Sequence, residues 1–230
     1  MTLSIIIPVY NEAKTILEIL NRVEAVNFGM EREIIVIDDG STDGTTQLLE
    51  SRIKNLETGI RTIFKESNEG KGAALRRGFQ EAKGDIVAVQ DADLEYDPNE
   101  LLNLIKPILE GRLEVVYGSR FLKKIHHHYF LFYLGNRFMS FLYKIFYNAK
   151  ITDPMTCYKI FKKDILNKFS LRSDGFEIES ELTINFLKAG YKILELPISY
   201  QSRTFQEGKK INWKDGLKSI WVILKIKLGF

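Results

Sequence analysis

The chain is poor in the residues that build disulfide and zinc sites. Its 230 residues include one cysteine, Cys157, which excludes an internal disulfide framework and a cysteine-based zinc site. Such scarcity points to a reducing compartment. The three histidines are consecutive, His126-His127-His128. Adjacent side chains diverge and lack the i,i+4 spacing of helical ligand pairs, so a solvated or headgroup-facing loop is expected there. No uncharged apolar run approaches the roughly 18 residues needed to span a bilayer. Met1-Thr2-Leu3-Ser4 leads directly into a strand-like segment, without the basic region of a secretory signal. The expectation is a protein that does not cross a membrane.

What is present is the balance of a globular domain, 45% hydrophobic and 27% charged. The formal charge of +3 hides a strong asymmetry. Residues 117–150 carry six Lys or Arg and no carboxylate, and residues 201–230 have a net charge of +5. The remainder is therefore acidic, at −8. An acidic body with two basic segments suggests an anionic partner on one face.

Short β-branched runs at 3–8, 33–38, 60–65, 85–90 and 115–118 alternate with helix-like stretches at 12–26, 45–54, 71–82 and 98–110. The last helix begins with Asp97 as a cap, Pro98 in the first turn and Glu100 at the capping-box position. The βαβα order predicts an α/β sheet covered on both faces. Residues 121–150 are crowded with aromatics and interrupted by Gly135-Asn136. A strand at 156–161, a helix near 178–189, a strand at 192–200 and an amphipathic helix from about residue 212 complete the chain.

In open α/β sheets ligands bind beyond the carboxyl ends of the strands. Those ends carry Pro8-Val9-Tyr10-Asn11-Glu12, Asp38-Asp39-Gly40, Asp91-Ala92-Asp93-Leu94-Glu95 and Gly118-Ser119-Arg120. Carboxylates at Asp91 and Asp93, with Glu95 two residues on, can converge on a hard divalent cation, Mg²⁺ or Mn²⁺ rather than zinc. A lone D-x-D is more often a solvated acidic turn. Asp38-Asp39 is equally ambiguous alone, either a turn into a helix or an acceptor for a base or ribose. Together, at the ends of one sheet, the two pairs describe a cleft for a nucleoside diphosphate.

The runs IIIPVYNEAKTI, IVIDDGSTDGT, NEGKGAALRRGF, DADLEYDP and VYGSRF resemble the family 2 glycosyltransferases of the GT-A fold. The resemblance continues through GNR at 135–137, DPMTCYKIF at 153–161 and SRTFQEGKKINWKDGL at 202–217. Within that family the chain resembles the dolichyl- and polyprenyl-phosphate sugar synthases and their bacterial and archaeal relatives. The resemblance implies a Rossmann-like mixed sheet with helices on both faces. It implies a catalytic domain over 1–205, with 119–150 as its interfacial and acceptor segment, and a C-terminal amphipathic helix over 206–230. By position, Pro8, Tyr10, Glu12, Asp38 and Asp39 would hold the base and ribose, with Lys71 near the cleft. Asp91, Ala92 and Asp93 would face the diphosphate, and Asp91, Asp93 and Glu95 would hold Mg²⁺ or Mn²⁺. Arg120, Arg137, Arg203 and Lys209 match basic positions near the acceptor phosphate and donor diphosphate. Cys157 stands where many members have glycine, and it reads as a structural thiol rather than a nucleophile.

The implied activity is inverting transfer of a hexose, of the GDP-mannose or UDP-glucose type, to a polyprenyl or dolichyl phosphate. The alternative is a saccharide or protein hydroxyl acceptor, for which Asp153 would be the candidate base. Residues 117–150 contain eleven of the chain's 27 Phe, Trp and Tyr. Aromatics beside cations suit a membrane interface, so peripheral association with a cytoplasmic membrane face is expected. Such a surface also leaves room for a small membrane-anchoring partner subunit, and no nucleic-acid partner is expected. For the C-terminal helix, packing on its own domain is an equal alternative to lipid contact. A catalytically dead nucleotide-binding scaffold is a further reading, which intact Asp91 and Asp93 argue against.

Overall fold

The computed structural model describes residues 1–55, 59–123, 130–204, 206, 208 and 210–228, the side chains of residues 55 and 130–132 excepted. His126–His128 and Lys209 lie outside the described residues.

Five β-branched runs become strands: β1 Leu3–Val9, β2 Arg32–Asp38, β3 Ile60–Phe64, β4 Ile86–Val89 and β5 Val115–Ser119. Later in the chain come β6 Lys159–Lys162 and β7 Ile193–Pro197. The helices are α1 Ile16–Ala25, α2 Thr45–Asn55, α3 Lys71–Glu81, α4 Leu101–Leu109, α5 Phe130–Tyr147, α6 Ile178–Lys188 and α7 Trp213–Leu228. Among the described residues the strands form one sheet, ordered β3-β2-β1-β4-β6-β5-β7. All neighbours are parallel except β6, which runs antiparallel to both β4 and β5. The sheet is therefore mixed.

β1 lies near the centre, with Ile6 registered against Ile35 on one side and Val89 on the other. Leu3, Ile5, Ile6 and Ile7 are fully buried, which explains the continuous apolar run: a parallel strand covered on both faces has no polar side. α1 sends Ile16, Ile19, Leu20 and Val23 inward at helical spacing. Burial of each such side chain contributes about 1.5–3 kcal/mol.

Two local expectations change. The helix expected from residue 12 starts at Ile16, because Glu12 is committed elsewhere. Its N–H donates to Thr45 Oγ1, and its carboxylate accepts from Arg203 and Lys210. Ahead of α4, Asp97 caps as expected by accepting from Asn99 N–H. Glu100 closes no capping box; its carboxylate accepts from the N–H and hydroxyl of Ser199 and pairs with Lys123.

The second half builds a smaller core. Met139, Leu142 and Tyr143 of α5 meet Ile184 of α6 and Ile223 of α7. α5 runs straight through Gly135-Asn136. Its other face is also apolar: Leu134, Phe138, Phe141 and Ile145, spaced as one helical stripe, are about half exposed. α7 behaves alike, burying Asp215, Ser219 and Ile223 while exposing Trp213, Leu217, Trp221 and Leu228. Among the described residues, no helix is long and apolar enough to cross a membrane.

Candidate active site

The carboxyl ends of β1, β2, β4 and β5 point to one cavity of about 1100 Å³. Its polar part is lined by Tyr10, Glu12, Asp39, Lys71, Asp91 and Asp93; its apolar part lies between α5 and α7 and includes Tyr133, Met139, Trp213, Leu217 and Ile220. Pro8, Ala92, Glu95, Arg120 and Arg203 also line it.

At the end of β2 the two aspartates part company. Successive strand side chains point to opposite faces. Asp39 lines the cavity, while Asp38 turns away, accepting from Ser41 N–H at 3.1 Å and Thr46 Oγ1 at 2.5 Å. Asp38 thus shapes the loop into α2 and does not line the cavity, contrary to its expected place against base or ribose. Asp39 accepts from Lys65 Nζ at 2.6 Å and from the N–H groups of Glu69 and Gly70. Between the strands Gly40 has φ +71°, and a Cβ there would sit 2.6 Å from the Ser67 carbonyl carbon. Only glycine meets both conditions.

At the end of β4, Asp91 pairs with Lys71 Nζ at 2.8 Å. Asp93 faces Arg203 at 3.3 Å, and Glu95 accepts from Tyr200 hydroxyl and Arg203 N–H. Arg203 also makes a two-pronged contact with Glu12, at 2.9 and 3.0 Å, 191 residues away in the chain. Burial, with help from the charges of Asp91 and Glu95, pushes the Asp93 carboxyl up to about 7. Among the described residues no three side chains already form a metal-binding group. The chemistry of the donor set nevertheless fits a hard cation, since Asp91, Asp93 and Glu95 bring carboxylate oxygens to one wall of the cavity and the described lining holds no histidine.

At the end of β5, Arg120 is held by Asp153. Nε and Nη2 each lie 2.7 Å from a different carboxylate oxygen, and the Arg120 N–H donates to Oδ2 at 3.0 Å. The guanidinium lies 4.9 Å from the centroid of Tyr200. Asp153 itself is fully buried, and the N–H groups of Thr152 and Asp153 are anchored by Glu195. With both oxygens engaged and no exposure, Asp153 is unsuited to remove a proton from an acceptor. The base assignment gives way to an anchoring one.

Arg137 is exposed on α5 and does not line the cavity. One residue turns a helix by about 100°, so Asn136 faces the cavity and Arg137 sits beside the outward stripe. In place of Lys209, which is outside the described residues, Lys210 reaches in to Glu12 Oε1 at 2.6 Å and to the Tyr10 carbonyl. Burial raises the Cys157 thiol pKa well above its usual range, as expected of an inert residue. Sequence reasoning missed Lys159, Glu179, Tyr200 and Lys210. Burial and pairing of these groups are tertiary facts; a lysine inside the β6 run was the one available hint.

Fold and site together define an α/β protein with a cavity at the carboxyl ends of its parallel strands, lined by the acidic pair Asp91 and Asp93. Glycosyl transferase family 2 matches residues 4–170, and the chain belongs to that family. Dolichol-phosphate mannosyltransferase of Pyrococcus furiosus is 30% identical over 214 residues, covering 91% of this chain and 59% of that protein. UDP-N-acetylglucosamine--dolichyl-phosphate N-acetylglucosaminyltransferase of Methanococcus voltae is 29% identical, covering 98% of this chain and 96% of that one. The chain spans between 54% and 63% of the length of three other curated relatives, the Pyrococcus protein among them. Among solved structures, Mycobacterium tuberculosis glucosyl-3-phosphoglycerate synthase, in complex with Mn²⁺, UDP and phosphoglyceric acid, superposes with a TM-score of 0.75 at 21% identity. The match covers 100% of this chain and 79% of that one, and it shows the GT-A fold.

Proposed function

We propose that the chain transfers a sugar from a nucleotide sugar to a polyprenyl or dolichyl phosphate at a membrane surface. The observation that carries this reading is the continuity of the cavity. A polar end lined by Tyr10, Asp39, Asp91 and Asp93 opens past Arg120 into an apolar end between α5 and α7. Those two helices expose apolar stripes on their outer faces. A hydrophilic donor and a lipid-borne anion would meet at Arg120. The dolichyl-phosphate enzymes among the relatives support the same acceptor class.

In the reaction a phosphate oxygen of the acceptor forms a bond to the anomeric carbon as the bond to the nucleoside diphosphate breaks. The acceptor is already an anion, so no side chain need take a proton from it, which agrees with the locked Asp153. Arg120, rigid on its carboxylate, orients the acceptor phosphate through charge-assisted hydrogen bonds. Asp39 and Tyr10 border the nucleoside end, and Lys71 and Arg203 bring positive charge to the diphosphate. Asp91, Asp93 and Glu95 would hold Mg²⁺ or Mn²⁺, which when bound neutralises charge on the departing diphosphate.

Leu134, Phe138, Phe141 and Ile145 on α5, with Leu217, Trp221 and Leu228 on α7, would lie at headgroup depth, flanked by Arg137, Lys144, Lys218 and Lys225. This arrangement suits peripheral attachment to a cytoplasmic membrane face. Incubation with labelled UDP- or GDP-sugars, Mn²⁺ and a panel of polyprenyl phosphates tests the reading. Label in the extractable lipid is expected; donor turnover that never labels lipid, whatever the chain length, overturns the acceptor.

A further inference from the structure

At the floor of the cavity lies an ion pair, Lys159 with Glu179, that the reaction as described does not use. Lys159, on β6, has a fully buried side chain. Its ammonium donates to the carbonyls of Pro154 and Thr156 and to Glu179 Oε2, at 3.0, 2.6 and 2.6 Å, and lies 4.8 Å from the Tyr117 ring centroid. Three acceptors exhaust its three protons. Glu179, near the start of α6, is 4% exposed in its side chain. Its other oxygen, Oε1, accepts no hydrogen bond. That oxygen faces Lys71 Nζ at 3.2 Å, while Lys71 hydrogen-bonds Asp91 and lies 2.8 Å from it. The order from core to cleft is therefore Lys159, Glu179, Lys71, Asp91.

A buried pair of this kind seldom adds stability over apolar residues of equal volume, so its place against Lys71 calls for another account. Lys71 is shared between two carboxylates. Were Glu179 neutral, the ammonium would belong wholly to Asp91 and would compete there with any cation. Were Glu179 charged but without Lys159, it would draw Lys71 away and leave Asp91 more strongly anionic. Lys159 sets the balance between these extremes.

We propose that Lys159 and Glu179 are positioning residues that hold the Lys71 ammonium between Glu179 and Asp91, leaving Asp91 free to take a divalent cation. The inference rests on the assignment of Asp91 to Mg²⁺ or Mn²⁺ given above. Neither residue touches the donor or the acceptor in this scheme. Both act through Lys71.

Opposite signs from the two halves of one ion pair provide the test. Mn²⁺ alone is titrated into the full chain, and free Mn²⁺ is followed by electron paramagnetic resonance, with melting curves taken in parallel. Glu179→Gln is expected to weaken Mn²⁺ binding about tenfold, the size of effect a neighbouring charge has on a buried carboxylate. Lys159→Met is expected to tighten it, and an unchanged affinity overturns the role given to Lys159. In a Lys71→Met background the Glu179→Gln effect should vanish. Should Lys159→Met fail to fold, the Lys159→Met/Glu179→Gln variant keeps net charge and volume. Weaker Mn²⁺ binding by that folded double variant supports positioning through Lys71, and wild-type affinity overturns it. Equal weakening by both single variants, or a Glu179→Gln effect that persists without Lys71, also overturns it. A wild type that binds no Mn²⁺ removes the metal assignment as well, whereas tight wild-type binding with a silent Glu179→Gln removes this inference alone.

Discussion

Replacing Asp153 by asparagine separates an anchor from a base. The side chain of Asp153 is fully buried, and that of Arg120 is 17% exposed. Three hydrogen bonds join them, two from the guanidinium at 2.7 Å and one from the Arg120 N–H at 3.0 Å. Burial opposes the charge on Arg120, and Asp153 more than restores it, holding the guanidinium well above its ordinary pKa. Removing one partner of a buried pair leaves the other uncompensated, at a cost of about 3–5 kcal/mol. Asparagine keeps one acceptor, so the lower end, about 3 kcal/mol, is expected for Asp153→Asn. In a chain of this size each kcal/mol moves the melting temperature by about 2–4 °C, so a fall of about 6–12 °C follows. The assay is thermal unfolding by circular dichroism, with steady-state transfer kinetics below the new midpoint. The anchor predicts reduced stability and a raised acceptor KM, because Arg120 loses its orientation. An unchanged melting temperature with kcat abolished and acceptor KM intact would show that Asp153 works as a base, and the argument from its burial would be wrong.

Asp93→Ala is expected to abolish Mn²⁺-dependent transfer while the protein stays folded, checked by turnover and melting in parallel. The raised carboxyl of Asp93 has its own signature: a carboxyl lifted from 3.8 to about 7 makes the folded state bind more protons than the unfolded chain. Cation-free protein should therefore lose stability as pH rises from about 4 to 7, and Asp93→Asn, which carries no charge at any pH, should melt above wild type at pH 8 and close to it at pH 4. Arg137→Ala, on the outer face of α5, should lower partition onto anionic vesicles about fivefold, near 1 kcal/mol, with donor hydrolysis unchanged; flotation at two salt concentrations reads it. Trp221→Ala should reduce flotation on neutral vesicles too, since it removes exposed apolar area and leaves the charge unchanged.

Much of the sheet was legible because buried parallel strands announce themselves as β-branched runs, and the polar residues just past them fall where such sheets bind ligands. Asp91, Asp93 and Arg120 come to the cleft for that reason alone. Asp38 was misjudged although alternation along a strand allows only one of two neighbours to face a given side. The helix α5 was hidden by Gly135-Asn136, a pair that marks a turn unless packing against α6 and α7 overrides local preference. Asp153 carried no local sign that both its oxygens were spoken for, 33 residues from Arg120. Arg203 reaching Glu12 and Lys71 reaching Glu179 are products of topology, with β6 folded back between β4 and β5, and periodicity does not reveal them. For α7 the packing reading holds, since Ile223 is buried against the domain, while Trp221 on the other face is exposed.

The most direct test of the central claim is a crystal grown with Mn²⁺ and a nucleoside diphosphate, with anomalous scattering recorded at the manganese edge. The account predicts manganese bound by carboxylate oxygens of Asp91 or Asp93, with the diphosphate beside it and the base toward Tyr10 and Asp39. Manganese elsewhere on the surface, or a nucleotide outside this cleft, would contradict it.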